Sequence, residues 1–261
     1  MINEEKLAKL QQLHGNLRFV TLPSGDSAYI REQNGDDDDV LSNTQVNVAA
    51  ALTTFLSGIC VWIESLDKNP SISEINALKL KDKYCLLMHS RVFSLGNVLK
   101  YEYEWDSKDK YTYQEDLEQY LWDYTKPFPS EEDPGYFKYR ITPYIFQRDT
   151  HRSFTLSSGK EVRYQYLNGN GEKSLLELAP GTRTINSNLR ARELEVKVQG
   201  TYMKVENFKG FSPRDMQELR KDVDMYDEQF DGLSEVENPR TGQRTLLSLL
   251  GLIDFFYPVE I

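Results

Sequence analysis

Acidic and aromatic side chains are interleaved between positions 101 and 146, and they are the residues in this chain best suited to chemistry. Paired carboxylates act as general acid and base in glycoside hydrolysis, and aromatic rings stack on sugars. The carboxylates considered for such a pair are Glu115, Asp116, Glu131 and Asp133. Sequence spacing does not fix their separation, and neighbouring surface acids are usually only solvated. A glycan-binding or glycan-cleaving protein is therefore an alternative and not the main prediction.

Other reaction types lack their characteristic residues. The cysteines are Cys60 and Cys85, and the histidines are His14, His89 and His151. They form no Cys-His signature, no Cys-x-x-Cys pair and no His-x-x-x-His pair, and the chain has no Gly-x-Ser-x-Gly elbow. Gly169-Asn170-Gly171 lacks the Gly-Lys-Ser/Thr order of a phosphate loop. The sequence thus predicts a protein that is not an enzyme and that uses no metal or other cofactor.

The composition is typical of a soluble globular protein. The chain has 261 residues, 39% of them hydrophobic, and its 31 Lys and Arg against 41 Asp and Glu give a net charge of -10. Nucleic-acid-binding proteins use Lys and Arg to neutralise phosphates, so this acidic balance argues against a nucleic-acid partner. Two cysteines exclude a disulfide framework and favour a reducing compartment. Met1 to Leu10 lacks the apolar core of a signal peptide.

The elements that would position any site begin with a predicted hairpin. Leu17 to Leu22 and Ser27 to Arg31 flank the turn-forming run Pro23-Ser24-Gly25-Asp26. Four aspartates at 36–39 follow Asn34-Gly35, and because like charges repel, they predict a solvated loop. Their spacing lacks the pattern of a calcium-binding loop.

Residues 46–63 carry no charge and are long enough for a membrane span to be considered. Polar side chains interrupt the apolar run, and no basic cluster marks a cytoplasmic side. The apolar residues recur at helical spacing: Val48, Leu52, Phe55, Ile59 and Trp62. We therefore expect a buried core helix and no membrane span.

A second helix is predicted between Leu80 and Phe93. Asp82 falls in its first turn, where the helix dipole favours a negative charge, and Gly96 follows its end. His89 has no metal-ligating residue at i+4, so it is expected to be a surface or interface histidine.

About 30% of residues 101–146 are aromatic, against 12% for the whole chain. Tyr and Trp offer large contact areas with few rotatable bonds, which favours a protein-binding surface. Aromatic strands that form a small β-rich core explain the same pattern equally well. Pro127, Pro129 and Pro134 predict an exposed loop within the stretch.

The rest of the chain, from residue 153 onward, alternates strand and helix patterns. Residues 153–178 predict antiparallel strands with a hairpin turn at Asn168-Gly169-Asn170-Gly171, and Leu194, Val196 and Val198 predict another strand. Ser212-Pro213-Arg214-Asp215 predicts a helix start. The apolar segment 246–258 either docks on the chain's own core, which is the default, or inserts into a partner.

Together these patterns predict an α+β fold in three parts. Residues 1–100 form a hairpin and helices, residues 101–200 form an aromatic-rich antiparallel β region, and residues 201–261 form a helix and an apolar Phe-Phe-Tyr-Pro tail.

Three segments, in order, resemble the baseplate hub assembly protein family of T-even-type contractile-tailed phages. Leu22 to Tyr29 is similar to the family's Leu-Pro-Ser-x-Gly-x-x-Tyr hairpin. Leu78 to Gly96, which contains Asp82, Leu86-Leu87, Arg91 and Ser94, is similar to its Leu-x-x-x-Asp, Leu-Leu, Arg-x-x-Ser-x-Gly pattern. The Ser212 helix and Asp254-Phe255-Phe256-Tyr257-Pro258 are similar to its closing helix and Phe-Phe-x-Pro tail. Residues 105–109 and 237–242 depart from the family because they lack its cysteine pairs, so a zinc knuckle is not carried over.

The resemblance implies a non-enzymatic protein that binds hub or wedge proteins, or other tail proteins, during baseplate assembly. It would act as a chaperone in the host cytoplasm, or remain as a permanent structural subunit of the virion baseplate. The candidate partner-binding anchors are Trp105, Trp122, Tyr124, Phe255, Phe256 and Tyr257. The alternative for all six is a place in the core.

Overall fold

The computed structural model describes residues 2–42, 48–106, 109–121, 149–178, 182, 184, 186–227, 233–249 and 255–256. These residues form helices and antiparallel sheets, which confirms the predicted α+β class. The seven strand pairings within these sheets are all antiparallel.

The chain begins with helix α1 (Glu4–His14), followed by a three-stranded sheet. Asn3 caps α1 by accepting a hydrogen bond from the Lys6 amide. Strands β1 (Leu17–Thr21) and β2 (Ser27–Arg31) form the predicted hairpin, and β3 (Cys60–Ile63) pairs with the far side of β2. The turn closes through a hydrogen bond from the Leu22 amide to the Asp26 carbonyl, and Gly25 supplies the positive φ of 81° that the turn needs.

For residues 34–63, the predicted loop is wrong and the predicted core helix is confirmed except at its end. The aspartate run is not a loop but lies in helix α2 (Gly35–Leu41), because Asn34 and Asp37 form a capping box and the helix N-terminus favours negative charge. The uncharged segment forms helix α3 (Val48–Ile59) but does not continue to Trp62. The chain enters β3 at Cys60 instead, where cross-strand pairing with β2 outweighs the helical spacing.

Helices α4 (Ile72–Ala77) and α5 (Leu80–Leu95) follow. A capping box between Ser71 and Glu74 starts α4. Helix α5 confirms the predicted second helix, and Gly96 ends it with a φ of 81°. Asp82, Leu86, Leu87 and Arg91 on α5 are all buried.

Strands β4 (Val98–Asp106) and β5 (Asp109–Asp116) form a long hairpin, followed by a short 3-10 helix (Leu117–Tyr120). Next come β6 (His151–Thr155) and β7 (Glu161–Gln165), which pair as the alternation predicted. Strands β8 (Glu195–Val198) and β9 (Thr201–Lys204) extend this sheet in the order β6-β7-β8-β9.

The predicted hairpin turn at residues 168–171 is wrong. Asn168 caps helix α6 (Gly169–Leu176) by accepting a hydrogen bond from the Gly171 amide. The reason is that asparagine and glycine suit a helix N-terminus as well as a tight turn. Helix α7 (Ser187–Ala191) precedes β8, and helix α8 (Pro213–Tyr226) starts at the predicted Ser212–Asp215 capping box.

The chain then returns to its first part through the hairpin of β10 (Leu233–Glu237) and β11 (Arg244–Ser248). Two hydrophobic clusters result. The first combines residues between Val20 and Tyr120 with Val236, Leu249, Phe255 and Phe256, and the second spans Phe154 to Tyr226. These clusters do not follow boundaries at residues 100 and 200.

Polar contacts join the two clusters where α5 meets α6. The Leu80 amide donates to the Leu167 carbonyl at 2.8 Å. The buried Lys83 ammonium lies 3.2 Å from the Glu172 carboxylate, and the Tyr84 hydroxyl donates to the same carboxylate at 2.9 Å. A charged group buried at this depth requires such partners.

Candidate functional site

The terminal phenylalanines lie in the first hydrophobic cluster. Phe255 is 0% exposed and Phe256 is 8% exposed. The Phe256 ring packs edge to face on Phe55 of α3, with centroids 5.1 Å apart. The sequence allowed this segment either to dock on the chain's own core or to insert into a partner. These two phenylalanines are docked on the core. Trp122, Tyr124 and Tyr257 lie outside the described residues.

Trp105, the remaining predicted anchor, is half-buried near the end of β4. Its indole nitrogen donates to the Tyr113 hydroxyl at 2.7 Å, and its ring contacts Tyr103 edge to face at 5.1 Å. The Tyr113 hydroxyl in turn donates to the Glu237 carbonyl at 3.0 Å. Trp105 is thus tied to the chain's own β10–β11 hairpin.

The two faces of the β4–β5 hairpin differ in character. One face is aromatic and turned inward, and its burial is complete at Tyr101. The other face is polar and exposed, with Lys100, Glu102, Glu104 and Lys110. For the described part of the aromatic stretch, this alternation favours the core interpretation over a binding surface.

The described carboxylates of this stretch have structural contacts. Glu115 accepts a hydrogen bond from the Tyr120 hydroxyl at 3.4 Å, and Asp116 accepts one from the Glu118 amide at the start of the 3-10 helix. Glu131 and Asp133 lie outside the described residues. Within the described part of the chain, no group of three or more His, Cys, Asp or Glu is placed to hold a metal ion. No helix described there is long and apolar enough to cross a membrane.

His89 is partly buried, and is therefore more enclosed than a residue at the predicted surface or interface position would be. Burial, with a smaller contribution from Arg18, lowers the pKa of His89 to about 3. Its Nδ1 has no hydrogen-bond partner among the described residues. His89 is therefore neutral at physiological pH.

The sequence did not reveal a row of aromatic residues across the outer face of the first sheet. Phe19 on β1 pairs with Tyr29 on β2, and Tyr29 pairs with Trp62 on β3. Ring centroids are 5.3 Å apart for Phe19 and Tyr29, and 5.9 Å apart for Tyr29 and Trp62. The opposite face, with Val20 and Ile30, packs into the first cluster.

Exposure rises along this aromatic row from 2% at Trp62 to 51% at Phe19. The Trp62 end is covered because its indole nitrogen donates to the Asp67 carboxylate at 3.0 Å, and the Lys6 ammonium of α1 binds the same carboxylate at 2.5 Å. The hydrogen bond from Lys6, followed by that from Trp62, lowers the pKa of Asp67. The carboxylate therefore stays charged and holds α1 beside the sheet.

A groove lies between α1 and the aromatic row, and it encloses a cavity of about 270 Å³. Its lining consists of Ile2, Glu4, Leu7, Phe19, Ser27, Tyr29, Trp62 and Glu64. Helix α1 forms one wall although none of its residues is fully buried. The groove thus has an apolar floor and a wall in which Lys6 of α1 is paired with Asp67.

The edges of the groove are acidic. Glu4 and Glu64 are its charged lining residues. Arg31, at the end of β2 away from the groove residue Ser27, pairs through its guanidinium with Asp37 at 2.7 Å. Asp37 belongs to α2, which also carries Asp36, Asp38 and Asp39. The aspartates of α2 thus lie at the Arg31 end of β2, and none of them lines the groove.

A larger and more polar cavity, of about 560 Å³, lies against α6, α7 and β9. Its cations already have partners within the chain. Lys204 pairs with Glu193 at 3.0 Å, and the Arg190 guanidinium lies 5.4 Å from the Phe208 ring centroid. The aromatic groove is therefore the better candidate for a binding site.

The comparisons with known proteins add no relative to this picture: no protein-family model, no curated protein and no solved structure matches the chain.

Proposed function

We propose that this protein is a non-enzymatic assembly protein of a contractile-tail baseplate, which binds other baseplate or tail proteins. The resemblance of Leu22 to Tyr29, Leu78 to Gly96 and the terminal segment supports the baseplate assignment. The observation that carries protein binding is the groove beside α1, with the half-exposed Phe19 at its open end.

The physical basis is the cost of leaving an aromatic row partly in water. Large exposed apolar groups that line a groove mark interaction sites, and aromatic residues lose little side-chain entropy when they bind. Phe19 and Tyr29 already contact each other in a fixed geometry, so a partner would meet a surface that is largely preformed.

The test is quantitative mass spectrometry of mature particles and of tail-assembly intermediates from the same infected cells. A chaperone is expected in intermediates only, whereas a permanent subunit is expected in mature particles at a fixed copy number. Absence from both would contradict a role in the baseplate.

A matched pair of variants connects that measurement to the groove. Phe19→Ser removes the exposed ring and is expected to deplete the protein from intermediates. Leu246→Ser removes an exposed apolar side chain on β11, outside the groove lining, and is expected to leave incorporation unchanged.

A further inference from the structure

We propose that Asn34 is a site of spontaneous covalent modification, at which the side-chain amide is lost and part of the protein acquires an isoaspartyl linkage. The chain has three Asn-Gly pairs, which are Asn34-Gly35, Asn168-Gly169 and Asn170-Gly171. Because glycine has no side chain, its backbone nitrogen can approach the preceding side chain more closely than that of any other residue. The structure distinguishes the three pairs, and it leaves the first one free to react.

The reaction joins the backbone nitrogen of Gly35 to Cγ of Asn34. The bond from Cγ to Nδ2 breaks, and Nδ2 leaves as ammonia with the proton of the Gly35 amide, so a cyclic succinimide remains. Water then opens the ring at either of its two carbonyl groups. One opening gives aspartate, and the other gives isoaspartate, in which the main chain runs through the former side chain. Water is the co-reactant, and nothing is oxidised or reduced.

Asn34 and Asn168 begin from nearly the same backbone conformation. Their φ and ψ angles are -136° and 179° for Asn34 and -124° and 179° for Asn168, and each residue caps the N-terminus of a helix. Ring closure requires ψ to rotate away from this extended value and the capping hydrogen bonds to open. The caps slow both residues, so their surroundings decide which of them reacts.

The surroundings of Asn34 leave it room to move. Asn34 and Gly35 are both exposed, and a Cβ built on Gly35 would meet no described atom within 4 Å. Asn34 Oδ1 is shared between the amides of Asp36 and Asp37, at 3.0 Å and 3.4 Å, and the second distance is long for a hydrogen bond. Helix α2 has seven residues, and so short a helix opens locally at a low cost in free energy.

The second pair is enclosed. Asn168 and Gly169 are both buried. A Cβ on Gly169 would lie 2.8 Å from both Asn76 Oδ1 and Lys83 Nζ, so the backbone at this point has no space in which to rotate. Reaction at Asn168 therefore requires the junction of α5 and α6 to open.

The third pair lies inside the first turn of α6. Asn170 is exposed, but Gly171 is buried and its amide already donates to Asn168 Oδ1 at 3.0 Å. A Cβ on Gly171 would lie 2.6 Å from the Ala191 carbonyl oxygen. The nitrogen that would attack Asn170 is thus hydrogen-bonded and closely packed.

Isoaspartate at position 34 would disrupt the start of α2. The Asn34 amide donates to Asp37 Oδ2 at 2.8 Å to complete the capping box, and Asp37 also pairs with Arg31 of β2 at 2.7 Å. An isoaspartyl residue lengthens the main chain and moves its carboxylate, so the capping box is lost. Aspartate at the same position remains a good helix cap. The isoaspartyl fraction should therefore hold α2 less firmly against β2 as the protein ages.

The test is incubation of the folded full chain at mildly alkaline pH, followed by digestion and mass spectrometry of each Asn-Gly pair. Asn34 should convert at least about tenfold faster than Asn168 or Asn170, because their reaction requires a costlier opening. In urea the three residues should convert at similar rates, since packing no longer distinguishes them. Enzymatic methylation of isoaspartate identifies the rearranged product.

Two glycine variants provide a matched comparison. Gly35→Ala should slow conversion of Asn34 in both the folded and the unfolded chain, because the methyl group hinders the attacking nitrogen. Gly210→Ala adds the same group where no described atom lies within 4 Å and no asparagine precedes, so it should leave the rate unchanged. Hydrogen exchange at the Asp36 and Asp37 amides should become faster in the isoaspartyl fraction and stay unchanged in Asn34→Asp.

Conversion of Asn168 or Asn170 as fast as Asn34 in the folded chain would overturn the selection of Asn34 by its surroundings. An unreactive Asn34 in the folded chain, with all three residues reactive in urea, would show that the cap protects it and would overturn the site. Conversion that ignores Gly35→Ala would overturn the attack by the Gly35 nitrogen. Unchanged exchange in the isoaspartyl fraction would overturn the loosening of α2.

Discussion

The ring of Phe256 packs edge to face against the ring of Phe55, with centroids 5.1 Å apart and planes at 65°. Phe55 lies on α3 near the start of the chain, so this contact joins distant segments within one core. Phe256→Ala would leave a cavity beside Phe55 and is expected to lower the free energy of unfolding by about 3 to 5 kcal/mol. Urea denaturation measures the change.

The exposed Leu246 provides the control for Phe256. Leu246→Ala should change stability by less than about 1 kcal/mol, because little apolar surface is lost. If Phe256→Ala left the melting transition unchanged and removed binding of a partner, the segment would be an interface anchor and not part of the core.

Gly169 and Gly35 form a matched pair for testing close packing. Each follows an asparagine cap as the first residue of a helix. A Cβ on Gly169 would lie 2.8 Å from both Asn76 Oδ1 and Lys83 Nζ and 3.1 Å from the Asn76 Cα, whereas one on Gly35 would meet no described atom within 4 Å. Gly169→Ala should destabilise the fold by about 1 to 3 kcal/mol, and Gly35→Ala should be neutral or slightly stabilising. Similar melting temperatures for the two variants would contradict the close contact.

Asp82 should make stability depend on pH. Burial raises the pKa of this carboxyl to about 6, although it accepts a hydrogen bond from the Ser24 amide at 2.9 Å. Because the folded state holds the proton more tightly than the unfolded state, this group's contribution falls as the pH rises from about 4 to about 6 and remains unfavourable above that range.

Asp82→Asn removes this titration. The stability of the variant relative to the unmodified chain should rise between pH 4 and pH 7 by up to about 3 kcal/mol. Asp215→Asn should show a change of opposite sign at lower pH, because the hydrogen bond from Lys160 holds the pKa of Asp215 below its usual range and its contribution is lost only as the pH falls below about 4. Urea unfolding at low protein concentration is the measurement, since the pI is about 5.0. If the stability difference between Asp82→Asn and the unmodified chain did not change with pH, the raised pKa of the buried Asp82 carboxyl would be refuted.

Arg192 and Asp227 are both buried and form an ion pair, with 2.6 Å between Arg192 Nε and Asp227 Oδ2. Arg192→Met leaves the Asp227 carboxylate buried without its cation and should cost about 3 to 5 kcal/mol in thermal or urea unfolding. Asp227 also accepts a hydrogen bond from the Leu167 amide at 2.9 Å.

The double variant Arg192→Met/Asp227→Leu tests the pairing itself. It should recover part of the loss, because the uncompensated charge is gone while the Leu167 amide loses its acceptor. Additive losses from the two single changes would show that Arg192 and Asp227 are not energetically coupled.

Local signals were readable from the sequence, and signals that depend on distant partners were not. The Ser212–Asp215 capping box and the hairpin turn at Gly25 are determined by a few neighbouring residues, and both are present in the structure. Asn34-Gly35 and Asn168-Gly169 fit either a turn or a helix cap, and both are caps. Choosing between these outcomes required packing information that a short segment does not contain.

The candidate site was missed for a related reason. Phe19, Tyr29 and Trp62 are neighbours only through the pairing of three strands, and Trp62 also fits the helical spacing of residues 48–62. The burial of Asp82 likewise could not be predicted from its neighbours in the sequence, because it depends on contact with the β1–β2 turn.

The second hydrophobic cluster lies, in chain order, between the two parts of the first. Residues 154–226 form a contiguous segment, whereas the first cluster needs residues 20–120 together with Val236, Leu249, Phe255 and Phe256. On the ribosome, the inserted segment can therefore gather all its strands and helices while the surrounding core still lacks its final side chains. Until those side chains emerge, the apolar surface around Phe55 stays uncovered, which makes this interval the one in which the nascent chain is most exposed to aggregation.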